Sequence, residues 1–298
     1  MELIQKEIKT WTSFESALNN IGINQKRTKW LFRGQPSSKN SLEPSILRIF
    51  KNEHFGPVLS ADIYNVIENI STKVFVSKAH PFLSDYLCSQ CKCNLDWWGI
   101  MQHHGSPTRL LDWSYSPYVA LYFSCINDFE SDGAVWLFNK YSVNKKIREL
   151  TKKEEIEETI KVSDSCEKLI DPSMFHCIDR NFLTDRMIPQ QGAFTVCTNI
   201  VKDHKQALNE VQPKFGKENK YYCLIIKKEI KLKFLEKLQL MNIASSSLFP
   251  GIDGLGKSID EHIKLSLFDI ENQLKRKYKS KIKGVENKVS SKHKEPYN

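Results

Sequence analysis

Short clusters of β-forming residues, each fenced by glycine or proline and set among long helical stretches, constrain this chain most. Trp30-Leu31-Phe32 reads as a strand that ends against Gly34 and Pro36. Gly133–Phe138, Gly192–Thr198 and Tyr221–Ile226 read as further strands, and Met1–Trp11 supplies a candidate edge strand. The intervening segments carry helix signals. Thr12 or Ser13 can cap a helix running toward Gly22, with Phe14, Ala17 and Leu18 on one face. Pro44 can open a helix through Phe50, and Ser116-Pro117 opens another over Tyr118–Cys125. Residues from about 60 to 104 read as helical with breaks: Val66, Ile67, Ile70 and Val74 recur at helical spacing, and Pro81 interrupts them. Glu229–Met241 and Ile252–Leu267 read as amphipathic helices. Few strands among many helices predict an α+β fold, a single domain with a small central β-sheet and many surrounding helices.

The composition agrees with a packed domain. The chain has 298 residues, 40% of them apolar and 27% charged, which excludes wholesale disorder. No apolar run reaches the roughly 18 residues of a membrane span. The start, MELIQKEIKTW, lacks an apolar stretch with a small-residue cleavage site. A cytoplasmic protein that does not meet a membrane is the expectation. Eight cysteines in such a chain read as reduced thiols. Cys88, Cys91 and Cys93 resemble half of a metal site, but no second close pair completes it, so no metal is expected.

The net charge of +9 is unevenly placed. Between Glu271 and Asn298 there are nine Lys/Arg and three Asp/Glu. Lys275, Arg276, Lys277 and Lys279 begin this basic tail and are its candidate nucleic-acid contacts, because clustered cations bind phosphates by counterion release. A solubilising tail is the plainer reading. The stretch 140–165 is polar and suits an exposed helix or an insertion.

Three clusters concentrate functional groups. In Phe32-Arg33-Gly34-Gln35 a guanidinium stands at a strand end beside accessible backbone, which suits a phosphate or a planar amide. In the block from Gln102 to Ser114, His103, His104, Thr108, Arg109 and Asp112 fall within ten residues around a turn at Gly105 and Pro107. The adjacent histidines cannot both face one ligand. A structural alternative has Asp112 capping the next helix and pairing with Arg109. In Pro189-Gln190-Gln191-Gly192-Ala193-Phe194 two amides precede a strand that Gly192 lets a partner approach.

In this order the clusters resemble the FRG domain, a bacterial family named for its (F/Y)RG tripeptide. Phe32–Gln35 matches the family's FRGQ, Gln102–Phe123 its QHHG-x-PTRLLDW block and Gln190–Phe194 its QQGxF block; Leu248–Leu255 is similar to its closing segment. The resemblance divides the chain into residues 1–24, an FRG-like domain over 25–268 with the polar insertion at about 140–165, and a basic tail over 269–298.

The motif order is also similar to that of ADP-ribosyltransferases, which implies a fold of that kind and NAD as substrate. By this likeness Arg33 and Gly34 stand for the first motif, Thr108 or Ser114 for the second and Gln191 for the third. Gln191 stands where the transferases place glutamate, so the acid role can pass to Asp112. The implied catalytic set is Arg33, His104, Thr108, Asp112 and Gln191, and the implied cofactor contacts are Arg33, Gly34, Gln35, Thr108 and Arg109. The expected function is NAD-dependent ADP-ribosyl transfer by a bacterial toxin or phage-defence effector. Nucleic acid, RNA above all, is the expected acceptor, and an antitoxin or regulatory protein a possible partner. Two alternatives stand beside it: a nuclease or nucleic-acid-binding module using the same His/Arg/Asp block, and a non-enzymatic ligand-sensing module.

Overall fold

The computed structural model describes residues 3–23, 30–51, 59–150, 175–178, 184–211 and 221–292. Its centre is one seven-stranded sheet: β1 (Ile4–Ile8), β2 (Trp30–Gln35), β3 (Leu110–Ser114), β4 (Gly133–Asn139), β5 (Phe175–Ile178), β6 (Gly192–Cys197) and β7 (Tyr221–Ile226). The spatial order is β1-β7-β4-β2-β3-β6-β5. β1 runs parallel to β7, and every other pairing is antiparallel. The sheet is therefore larger than the small one expected. β2 does not stop at Gly34, because Gly34 and Gln35 keep their ladder with Val135 and Ala134 of β4.

Among the described residues twelve α-helices surround the sheet: α1 (Trp11–Ile21), α2 (Ser45–Phe50), α3 (Ala61–Ala79), α4 (Asp85–Gln90), α5 (Asn94–His103), α6 (Pro117–Cys125), α7 (Lys140–Leu150), α8 (Met187–Gln190), α9 (His204–Val211), α10 (Lys231–Leu240), α11 (Ser245–Leu248) and α12 (Ile252–Lys292). Local chemistry sets several of their ends. α1 is capped by Thr10, not Thr12 or Ser13: the Thr10 hydroxyl accepts from Ser13 N while Ser13 Oγ accepts from Thr10 N, a reciprocal capping box. Pro117 sits in the first turn of α6, and Ser116 Oγ accepts from Val119 N, so the serine and not Asp112 caps this helix.

The pleat sends alternate residues of each strand to opposite faces. On one face Trp30, Phe32, Val135, Leu137, Tyr222 and Leu224 pack against α1, α6 and α10. On the same side, toward the β6 end, Leu95, Trp98 and Met101 of α5 cover Leu110, Phe194 and Val196. On the other face Leu31, Trp113, Trp136 and Phe138 meet α7 and α9. Ile8 and α1 belong to the first core, so residues 3–23 are continuous with the sheet and its cover. α7 fills the start of the polar stretch and buries Val143 and Ile147; residues 151–165 lie outside the described residues. The basic tail from 269 continues α12 without a break as far as Lys292.

α3 forms where its spacing implies, yet it is turned inside out. Its buried residues include Asn65, Glu68 and Thr72, while Val66 and Ile70 are 55% and 56% exposed. Long-range polar pairing overrides the apolar stripe: Glu68 and Asn65 hold Arg109, and Thr72 Oγ1 accepts from Trp98 Nε1 at 3.0 Å. No helix among the described residues is long and apolar enough to cross a membrane.

Candidate functional site

β2 and β3 are neighbours that share a single ladder pair, Phe32 with Ser114. Beyond it the strands part. The gap opens between Arg33, Gly34 and Gln35 of β2, which keep their ladder with β4 on the far edge, and Trp113, Asp112 and Leu111 of β3, which keep theirs with β6. α6 covers the β2 side of the gap and α5 the β3 side. Between them lies a cleft of about 300 Å³, at the low end for ligand pockets. Phe32, Trp113 and Phe194 contribute aromatic surface to it, joined by Phe123 of α6 and Phe249. Its polar lining comes from Arg33, Gln102, His103, Asp112, Ser114, Thr184, Arg186 and Gln190.

Arg33 sits at the gap itself. Its Nη1 donates to the Asp112 backbone carbonyl at 2.7 Å, in place of the missing ladder bond. Its Nε is buried without a protein partner. Burial pulls the Arg33 pKa below its ordinary value; the Asp112 carboxylate opposes that shift and the nearby Arg48 adds to it. A desolvated guanidinium that keeps an unused donor favours an anion or a polar ligand. Across the gap the Asp112 side chain is exposed. Its Oδ2 accepts from Gln102 Nε2 at 2.8 Å, and Gln102 Oε1 in turn accepts from the Thr108 hydroxyl. Thr108, Gln102 and Asp112 thus form an oriented chain that aims one carboxylate at the cleft.

Thr108 is fully buried, away from the lining, and supports Gln102 in place of Arg33. Ser114 is also buried; its Oγ donates to the Gln190 carbonyl and accepts from Ser116 N, so it shapes the backbone. Arg109 lies outside the cleft. Its Nε and Nη2 grip the Glu68 carboxylate, Nη2 also meets Asn65 Oδ1, and Nη1 donates to the Thr198 carbonyl at 2.9 Å. With those donors engaged it is a buried clamp between α3, β3 and the end of β6, not a phosphate ligand and not a partner of Asp112. Gln35 is a clamp too: Nε2 donates to the Ser41 carbonyl and Oε1 accepts from Trp136 Nε1.

Of the two histidines, His103 lines the cleft, while His104 faces an apolar groove beside Ser106 and Pro107. Burial, with help from the charge of Arg186, pushes the His103 pKa down to about 4, so it is neutral at physiological pH. Gln191 does not line the cleft either. It closes α8 in the left-handed region (φ 47°), its side chain is exposed, and its carbonyl accepts from Tyr115 N. Gln190 takes the inward place, with Nε2 donating to the Leu248 carbonyl at 3.0 Å.

Gly34 faces α6. A Cβ there would lie 1.9 Å from the Ala120 carbonyl oxygen and 2.7 Å from Ser124 N. The glycine is required for the helix to sit on the strand, and that contact closes one wall of the cleft. Sequence reasoning gave no role to Gln102, Arg186, Phe123 or Phe249; it named His103 for the nuclease alternative and Gln190 only as one of two amides before a strand. Gln102 and Gln190 stand inside the quoted motifs; Arg186 carries no local signal. Lys275 to Lys279 lie on α12, far along the chain from every lining residue.

The family model of the FRG domain matches residues 28–133, about a third of the chain. No curated protein and no solved structure matches it. The matched segment supplies Arg33, Gly34, Gln102, His103, Asp112 and Phe123, while Arg186, Gln190, Phe194 and Phe249 complete the cleft from beyond it.

Proposed function

We propose that this FRG-domain protein binds NAD in the β2/β3 cleft and transfers its ADP-ribosyl group to an acceptor, with RNA the favoured class. One observation carries the reading: a half-buried arginine whose Nε is buried without a partner stands across a strand gap, walled by aromatic rings, from an oriented carboxylate. The cleft has room for the nicotinamide-ribose half of the dinucleotide, with the rest extending over its mouth. Arg33 binds the pyrophosphate or a ribose hydroxyl through its guanidinium. The aromatic walls exclude water and stack the nicotinamide.

The chemistry then needs little more. The bond between ribose C1′ and the nicotinamide nitrogen breaks, and its electron pair leaves with nicotinamide. Positive charge develops on the ribose, where the Asp112 carboxylate stabilises it. An acceptor hydroxyl or ring nitrogen adds to C1′ and gives up its proton. Neutral His103 lines the cleft and can take that proton, the place first expected for His104. Gln190, in place of Gln191, hydrogen-bonds the ribose. The basic tail, nine Lys/Arg against three Asp/Glu from Glu271 to Asn298, takes no part in this step, but it raises the local concentration of a polyanionic acceptor.

The test is to incubate the protein with NAD labelled in the adenylate, separately with RNA, DNA and protein acceptors. Transfer of label, lost in Asp112→Asn and in Arg33→Met while the folded fraction holds, supports the reading. NAD binding without nicotinamide release assigns the cleft to ligand sensing. RNA cleavage without NAD assigns it to phosphodiester chemistry. Either result overturns the transferase.

A further inference from the structure

α12 has two faces. One carries Gly254, Glu261 and Leu265, which are buried against the body, where Glu261 Oε2 accepts from Ser245 N at 2.9 Å and from the Tyr122 hydroxyl at 3.2 Å. The opposite face carries Ile252, Leu255, Ile259, Ile263, Leu267, Ile270 and Leu274, each between 50% and 78% exposed. At 100° per residue these seven fall within one stripe about 120° wide, centred nearly opposite the docked residues. An unbroken apolar stripe this long has no reason to face water on a solvated helix. In sequence the stripe goes on. Tyr278, Ile282, Val285 and Val289 continue it at the same steps of three and four, to within three residues of the helix end at Lys292. The average step is about 3.7, which lets two such helices wrap with a right-handed drift.

We infer that α12 pairs with α12 of a second copy of this chain, antiparallel, along this stripe. Two features of the sequence select that occupant and that direction. First, charge: besides the docked Glu261, residues 252–273 carry four exposed carboxylates and two lysines, whereas 274–292 carry eight Lys/Arg and one glutamate. Parallel pairing stacks the basic halves on each other; antiparallel pairing sets each basic half beside the partner's acidic half. Second, symmetry: the stripe is nearly its own mirror about residue 272. Reversing one copy brings Ile270 opposite Leu274, Leu267 opposite Tyr278, Ile263 opposite Ile282, Ile259 opposite Val285 and Leu255 opposite Val289. The docked face is turned away from this seam, so pairing leaves the body and the β2/β3 cleft untouched. Basic charge still exceeds acidic, so the dimer keeps a cationic stripe for a polyanion.

Sedimentation equilibrium of the full chain at micromolar concentration reads the pairing. The expected species has twice the chain mass, and Ile263→Glu with Ile270→Glu converts it to the chain mass without loss of far-ultraviolet helix signal from the body. A photo-crosslinking residue at position 259 reads the direction. It is expected to join the peptide around Val285 of the other copy. Positions 259 and 285 of one straight helix are about 39 Å apart, so that link forms only between chains. A monomeric wild-type chain, a dimer that survives the double substitution, or a link from 259 to 259 overturns the inference. If the double variant fails to fold, the crosslink map of the unsubstituted stripe still decides.

Discussion

Gly34→Ala separates packing from ligand approach at a residue to which the likeness to ADP-ribosyltransferases gives a binding role. The added methyl would sit 1.9 Å from the Ala120 oxygen, 2.7 Å from Ser124 N and 2.9 Å from Ala120 C. All three are backbone atoms of α6, so no side-chain rotation relieves the clash. An ordinary contact distance near 3.5 Å requires α6 to retreat from β2 by about 1.5 Å. α6 cannot do so freely: Val119, Ala120, Leu121, Tyr122 and Cys125 are buried, and the Tyr122 hydroxyl is held by Ser245 and Glu261. Overpacking of this kind costs about 3 kcal/mol or more. At ~2–4 °C per kcal/mol for chains of this size, the melting temperature should fall by at least about 6 °C. Differential scanning fluorimetry with circular dichroism on purified full-length chain gives the number. A variant that melts within about 2 °C of the parent yet loses NAD binding would refute the packing argument and return the glycine to the ligand.

Arg109→Met leaves Glu68 buried and unpaired, so it should destabilise by about 3–5 kcal/mol, and adding Glu68→Leu should recover much of that loss; chemical denaturation of the single and double variants checks this, and equal stability of all three would remove the clamp. The pH dependence has a defined sign. Burial lowers the pKa values of His103 and His176 to about 4 and that of His204 to about 3, the last with Arg33 contributing. The unfolded chain binds protons near pH 6.5 and the folded chain does not, so stability is full above that pH and drains away between about 6.5 and 4. A melting temperature that stays flat from pH 7 to 4.5 would contradict neutral buried imidazoles.

What the sequence made legible was local, and what it hid depended on distant pairing. The capping chemistry at Ser116-Pro117, the turn at Gly105 and the β-rich run Tyr221–Ile226 act over a few residues, so each element stood where it was read. The helicity of α3 was readable for the same reason, but its facing was not, because Glu68 turns inward for an arginine 41 residues away. The four-residue strand Phe175–Ile178 owes its place to β6 and has no strong pattern of its own. Within the site, composition found the right blocks but only some of their cleft-lining members, Arg33, Gly34 and Asp112 among them. His103 and His104 differ by one position at the end of α5, and the turn that follows decides which imidazole meets the cleft. Gln190 and Gln191 differ likewise, and the left-handed backbone at Gln191 turns that side chain out. Arg109 and Arg33 look equivalent as charges. They separate only once the sheet is assembled, since one finds a buried carboxylate and the other finds a gap between strands. The strand gap is thus what distinguishes a structural arginine from a candidate functional one: β2 and β3 are neighbours that share one ladder pair and then diverge, a geometry that no local window of residues encodes.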